Sequence, residues 1–142
     1  MIDKLQVTID VIIHATEDIS QIYQSFEKLL DLKEENFTTH ETTGHYDNPI
    51  ILLNAKIVKK EAQNFMKKIL GLLSIEQINE LIEEIEERTV NSRFHMRLGK
   101  QELVKGNLAF LEKDTIKIKI YTPIYNKKNT VKIFTEIFEI AK

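Results

Sequence analysis

Two hydrophobic periods alternate along the chain. From Lys4 to Ala15, apolar Leu5, Val7, Ile9, Val11 and Ile13 occupy every second position, with Gln6, Thr8 and Asp10 between them. Side chains two apart on an extended backbone share a face, so the stretch predicts a strand with one buried and one wetter side. From Thr16 to Leu32 the period lengthens. Ile19, Ile22, Tyr23, Phe26, Leu29 and Leu30 form one stripe of a helix, with Thr16 as its expected N-cap and Glu17 and Asp18 at the positive end of its dipole. Thr-rich Phe37 to Thr42 and apolar Ile50 to Val58 predict two strands. Gly44, Asp47, Asn48 and Pro49 supply the turn of a hairpin between them.

Helical spacing returns from Lys60 to Leu73, where Ala62, Phe65, Met66, Ile69, Leu70 and Leu73 form the apolar side. Ser74 with Gln77 has capping-box spacing and starts a new helix. Ile75, Ile78, Leu81, Ile82 and Ile85 face inward there, and Glu80, Glu83, Glu84, Glu86 and Glu87 make the other side acidic. Ser92 to Leu98 predicts another strand, Gln101 to Lys105 a short turn or helix ended by Gly106, and Asn107 to Thr122 a hairpin across Glu112 to Asp114. A final helix follows Asn129, its expected N-cap, with Val131, Ile133, Phe134, Ile137, Phe138 and Ile140 inside. Helices and hairpins are mixed rather than strictly alternating. The expected fold is therefore α+β: a mainly antiparallel sheet with helices packed on one side, in a single domain over 1–142.

The bulk numbers narrow the function. The chain of 142 residues is 30% charged and 42% hydrophobic, with a net charge of −2, which argues against a uniformly basic nucleic-acid binder but permits a local basic patch. There is no cysteine, so disulfides, thiolate metal sites and a cysteine nucleophile are excluded, in keeping with a cytoplasmic protein. Asp3, Lys4 and Asp10 interrupt the apolar N-terminal run, which fits neither a signal peptide nor a membrane span.

The charges are unevenly placed. Seven Lys or Arg residues lie from Arg93 to Lys119, against Glu102, Glu112 and Asp114, directly after the acidic helix. Arg93, His95 and Arg97 alternate with Phe94, Met96 and Leu98, so the three project from one strand face. Thr115, Lys117 and Lys119 do the same between isoleucines. With both strands in one sheet, Arg93, Arg97, Lys117 and Lys119 form a cationic surface, with Lys100 and Lys105 nearby. An ordinary solvated sheet face has the same alternation. Arg offers phosphate a planar fork of donors and Lys a mobile point charge. Few aromatics interleave with these cations, which favours recognition of backbone or shape over base stacking.

Other chemistry has little support in the residues. His14, His40, His45 and His95 lack metal-ligand spacing, and His45 with Asp47 makes a weak hydrolytic pair. No nucleophile elbow, Gly-rich phosphate loop or kinase signature is present. The helix start at "HATED" has N–H groups suited to an anion, but Glu17 and Asp18 repel phosphate there, which favours local capping.

The segments "IHATED" (Ile13 to Asp18), "HYDNPI" (His45 to Ile50), "RFHMRLGKQELVKGNL" (Arg93 to Leu108) and "IKIKI" (Ile116 to Ile120) occur in that order. Together they resemble an archaeal family of predicted exosome-associated RNA-binding proteins. The resemblance covers nearly the whole chain and implies a fold similar to the large-subunit ribosomal protein that binds 5S rRNA, with a non-catalytic RNA role. It implies RNA contacts at Arg93, Arg97, Lys100, Gln101 and Lys105. Asp47 stands where the family pattern has Gly, and Gly99 where it has Asp.

The leading expectation is a non-enzymatic protein that needs no cofactor or metal and binds structured RNA. Arg93, Arg97, Lys100, Lys105, Lys117 and Lys119 hold phosphates, while His95 and Gln101 bond sugar or base edges. Exosome- or ribosome-related proteins are the associated partners, and no membrane is involved. The alternative is a protein-interaction module that forms a homodimer or docks a partner through the acidic helix, Ser74 to Arg88, or through a sheet edge.

Overall fold

A computed structural model describes residues 4–44 and 46–141. The fold is α+β. Six strands form an antiparallel sheet in the order β2-β3-β1-β6-β5-β4, where β1 is Gln6–His14, β2 Phe37–Thr43, β3 Pro49–Val58, β4 Thr89–Val90, β5 Arg93–Gly99 and β6 Thr115–Tyr121. The helices are α1 (Ile19–Leu30), α2 (Lys59–Leu72), α3 (Ile75–Glu83), α4 (Ile85–Arg88), α5 (Lys100–Val104) and α6 (Thr130–Phe138). The chain divides into two compact units.

One unit comprises Thr8–Lys56 and Arg97–Ile118. Ile9, Val11 and Ile13 of β1 are buried, and Ile12 and His14 are exposed, as period two requires. Ile22, Phe26 and Leu30 form the inner side of α1, and the Phe37 ring lies 4.9 Å from that of Phe26. The N-cap of α1 is Asp18, not Thr16: its carboxylate accepts the Ser20 N–H at 2.9 Å. Glu17 bends back instead, and its Oε1 accepts the His14 N–H at 2.8 Å. β2 and β3 form the expected antiparallel hairpin, with Thr43 opposite Pro49 and Phe37 opposite Ala55. The Gly44 N–H donates to the Asn48 carbonyl at 2.7 Å, and Asp47 takes φ 59 in the turn. That left-handed geometry is free for Gly and tolerated by Asp, which accounts for the departure from the family pattern. The stretch after α5 differs from the expected hairpin arm. It meets β5 at an isolated Leu98–Phe110 bridge, where the Gly99 N–H donates to the Ala109 carbonyl at 2.8 Å, and forms no strand of its own before β6 begins.

The other unit comprises residues 4–7, 57–96 and 119–141. α2 buries Ala62, Phe65, Met66, Ile69 and Leu70. The capping box is present: the Ser74 hydroxyl accepts the Gln77 N–H at 3.1 Å and the Gln77 side chain accepts the Ser74 N–H at 2.9 Å. The acidic helix breaks at Glu84 into α3 and α4, both packed on α6, and Ile75, expected inside, is 65% exposed. A short strand that the hydrophobic pattern does not predict, β4, pairs with β5 through a two-residue turn at Asn91 and Ser92. Both turn residues have positive φ, 52° and 65°, as hairpin turns that follow the strand twist require. Phe94 packs against Phe134 and Phe138 of α6, with ring centroids 5.8 and 4.8 Å away, tilted to the first and edge-on to the second. Asn129 makes no side-chain cap on α6. Asn126 caps the preceding 3-10 turn, accepting the Lys128 N–H at 3.1 Å.

Candidate nucleic-acid interface

β5 and β6 alternate as the sequence demands. Phe94, Met96 and Leu98 are buried, as are Ile116, Ile118 and Ile120; Arg93, Arg97 and Lys117 are exposed, and His95 and Lys119 half-buried. In the second unit described above, the Arg93 guanidinium lies over the Tyr121 ring at 4.9 Å, so the polar sides of the two strands coincide there. The Thr122 N–H donates to the Ser92 carbonyl at 3.4 Å, which sets the register. It brings His95 opposite Lys119 in that unit, while Arg97 and Lys117 lie exposed on the same neighbouring strands, β5 and β6, in the other. Like charges directly opposite on a sheet are destabilising unless something negative lies between them. Among the described residues, Arg97, Lys117 and Lys119 have no ion-pair partner, and no ion pair joins the glutamates of α3 and α4 to β5 or β6.

The three residues around α5 fall in different environments. Lys100, expected to hold phosphate, is only 1% exposed. Its Nζ donates to the Ile12 carbonyl at 2.7 Å and to Glu17 Oε1 at 2.8 Å, and it lies 2.8 Å from Asp114 Oδ1. Three oxygens take the three donors of the ammonium, so none remains for an external anion. Gln101 Nε2 donates to Glu17 Oε2 at 2.6 Å. Lys105 is at the surface with its side chain 69% exposed, in a loose 3.5 Å pair with Glu102.

The described histidines fall on three different strands. His14 ends β1, His40 lies on β2 and His95 on β5, while His45 falls outside the described residues. His14, Glu17 and Asp114 each place one potential ligand atom within 4.8 Å of the others. The Lys100 ammonium already sits against both carboxylates and supplies the positive charge a metal ion would. Aromatic rings are more accessible than the strand pattern suggests: Tyr46 and Tyr125 are 80% and 81% exposed, and Tyr121 lies under Arg93. Both exposed tyrosines sit in turns, where no periodicity marks a side chain as inward or outward.

The fold and these surfaces define a small α+β protein whose paired strands, among the described residues, present unpartnered cations, with exposed tyrosines in its turns. Residues 6–122 match the model of a family described as RNA binding, and the chain belongs to that family. It is 31% identical to the RNA-binding protein PAB1135 of Pyrococcus abyssi over 98% of both chains. It is 29% identical to the uncharacterised protein MJ0213 of Methanocaldococcus jannaschii, over 89% of this chain and 91% of that one. Among solved structures it resembles AF2318 of Archaeoglobus fulgidus, a DUF54 protein, with 25% identity and a TM-score of 0.79 over 93% of this chain and 97% of that one. No helix among the described residues is long and apolar enough to cross a membrane.

Proposed function

We propose that this protein binds structured RNA without catalysing its chemistry, holding phosphates with the outward cations of β5 and β6. What supports the reading is that Arg97 and Lys117 stand exposed on the neighbouring strands β5 and β6 with no carboxylate partner among the described residues. A polyanion placed over them turns a repulsion into two charge-assisted contacts. In the other unit Lys119 and Arg93, the latter seated over the Tyr121 ring, supply further phosphate contacts, and Lys105 adds an accessible charge. His95 and Gln101 serve sugar or base edges, and Lys100 holds the fold rather than the ligand. Family membership supports the same ligand class. A cytoplasmic place, a fold related to the 5S-rRNA-binding ribosomal protein, and work beside an exosome or ribosome-related assembly belong to this reading through the family resemblance.

The test is a salt titration with a labelled RNA hairpin. The Arg97→Ala/Lys117→Ala double variant should weaken binding and flatten the log–log salt slope by roughly 0.7–0.9 for each phosphate that is no longer neutralised. An unchanged slope rejects the cationic surface.

The competing reading, a homodimer or a docked protein, draws on the exposed Ile75 of the acidic helix and on β2, an edge strand of seven residues. Light scattering of nuclease-treated protein distinguishes the two. A dimer that persists without RNA and disappears in Ile75→Asp favours this second reading.

A further inference from the structure

We infer that the unit carrying Arg97 and Lys117 also holds a pocket for a single unpaired nucleobase, built by the end of β1 and the β2–β3 turn. The inference rests on the RNA reading above and adds to it a recognised moiety and its site. A cavity of about 460 Å³ opens there, lined by His14, Thr16, Tyr46, Asn48, Pro49 and Ile50 among others. Its size is within the roughly 300–1,000 Å³ of small-ligand sites.

The composition of the lining selects the ligand. In a chain that is 30% charged, no Lys, Arg, Asp or Glu among the described residues lines this cavity. It therefore suits a neutral group and gives a phosphate no counter-charge. Its walls are mainly apolar, from Pro49, Ile50 and Ala15, with an imidazole, a hydroxyl and an amide as the polar handles. A flat apolar body with donors and acceptors on its edge is the chemistry of a nucleobase. Tyr46 supplies a π-face: the residue lines the cavity while being 80% exposed, as a stacking platform must be. The amide of Asn48 and the hydroxyl of Thr16 can each donate to and accept from a base edge.

The backbone holds these groups in place. The Gly44 N–H bond to the Asn48 carbonyl and the Asp47 N–H bond to the Gly44 carbonyl close the turn that carries Tyr46. A β-carbon at Gly44 would come within 2.6 Å of the terminal methyl of Ile50, so the Ile50 side chain packs directly against the Gly44 backbone. At the β1 end of the cavity, the His14 backbone is fixed by Glu17, itself held by Lys100. The family segments "IHATED" and "HYDNPI", which contribute no cation to the strand faces, thus meet around one cavity.

The experiment uses the full chain, a mixed-sequence RNA octamer and the same octamer with every base removed. Tyr46→Ala should weaken binding of the base-bearing octamer roughly five- to a hundredfold, the range for removal of one stacked base, with the salt slope unchanged. Tyr46→Phe should bind as the wild type does, and the abasic octamer should not distinguish the three proteins. Equal affinity of wild type and Tyr46→Ala for the base-bearing octamer overturns the pocket. If the wild type binds neither octamer, free nucleosides are titrated and followed through the backbone amide resonances of His14, Thr16 and Asn48. Shifts there that vanish in Tyr46→Ala uphold the base site while the RNA reading falls, and their absence overturns the site too.

Discussion

The Lys100 ammonium lies 2.8 Å from Glu17 Oε1, joining residues 83 positions apart, with only 2% and 14% of the two side chains exposed. Removing one partner of a buried pair leaves the other charge unpaired in a poor solvent, at about 3–5 kcal/mol for a fully enclosed pair. Asp114, the second acid on Lys100, keeps 47% of its side chain exposed and can be rehydrated. Lys100→Met is therefore expected to destabilise the protein by about 2–3 kcal/mol. Urea unfolding measures this, and adding Glu17→Gln should restore part of the stability. A Lys100→Met protein as stable as the wild type would show that the network contributes nothing. Its RNA salt slope should match the wild type, since this charge does not reach the ligand.

The Arg97–Lys117 pair predicts a conflict between stability and binding. Lys117→Glu places an opposite charge beside Arg97 and should raise stability by about 0.5 kcal/mol, the scale of a favourable cross-strand pair. The same change puts a negative charge on the proposed phosphate surface and should weaken hairpin RNA at least tenfold. Thermal unfolding and a binding isotherm on the same preparation measure both. A fall in both stability and affinity would point to misfolding rather than to repulsion of the phosphates.

The cap of α1 predicts an acid-sensitive turn. The Ser20 side-chain and backbone hydrogen bonds hold the Asp18 carboxyl below its ordinary value of 3.8. A depressed carboxyl favours the folded state above its unfolded value, and that contribution fades as pH falls below 3.8 toward the lower folded value. Asp18→Asn keeps a side-chain acceptor but cannot titrate. Between about pH 5 and about pH 2.5, the span over which such an aspartate titrates, the wild type should lose more stability than Asp18→Asn. Parallel pH curves would refute the assignment.

The turn at Asp47 separates backbone from side-chain effects. With φ at 59°, Asp47→Gly should change stability by less than about 0.5 kcal/mol, whereas Asp47→Val should cost about 1–2 kcal/mol, because a β-branched residue fits this region poorly. Thermal unfolding of the two variants checks it, and equal midpoints would contradict the turn geometry.

What the sequence determined by itself is what depends on near neighbours along the chain. Period two in β1, β5 and β6 marked which side chains turn inward, and the burial of Phe94, Met96 and Leu98 beside exposed Arg93 and Arg97 follows it. The Ser74–Gln77 capping box and the β2–β3 hairpin are equally local. Tertiary structure decided the fate of individual charges and aromatic rings. Lys100 and Lys105 look alike in sequence, yet one is enclosed by Ile12, Glu17 and Asp114 and the other stands in water. Glu17 was drawn to His14 and Lys100, so the helix took its cap from Asp18. Tyr46 faces outward because a closed turn holds it there, and the run after α5 forms only a bridge at Phe110. Periodicity is a pattern among residues within about four positions of one another. Whether a cation meets a carboxylate or a polyanion depends on where the folded backbone brings distant segments together, and no local spacing encodes that.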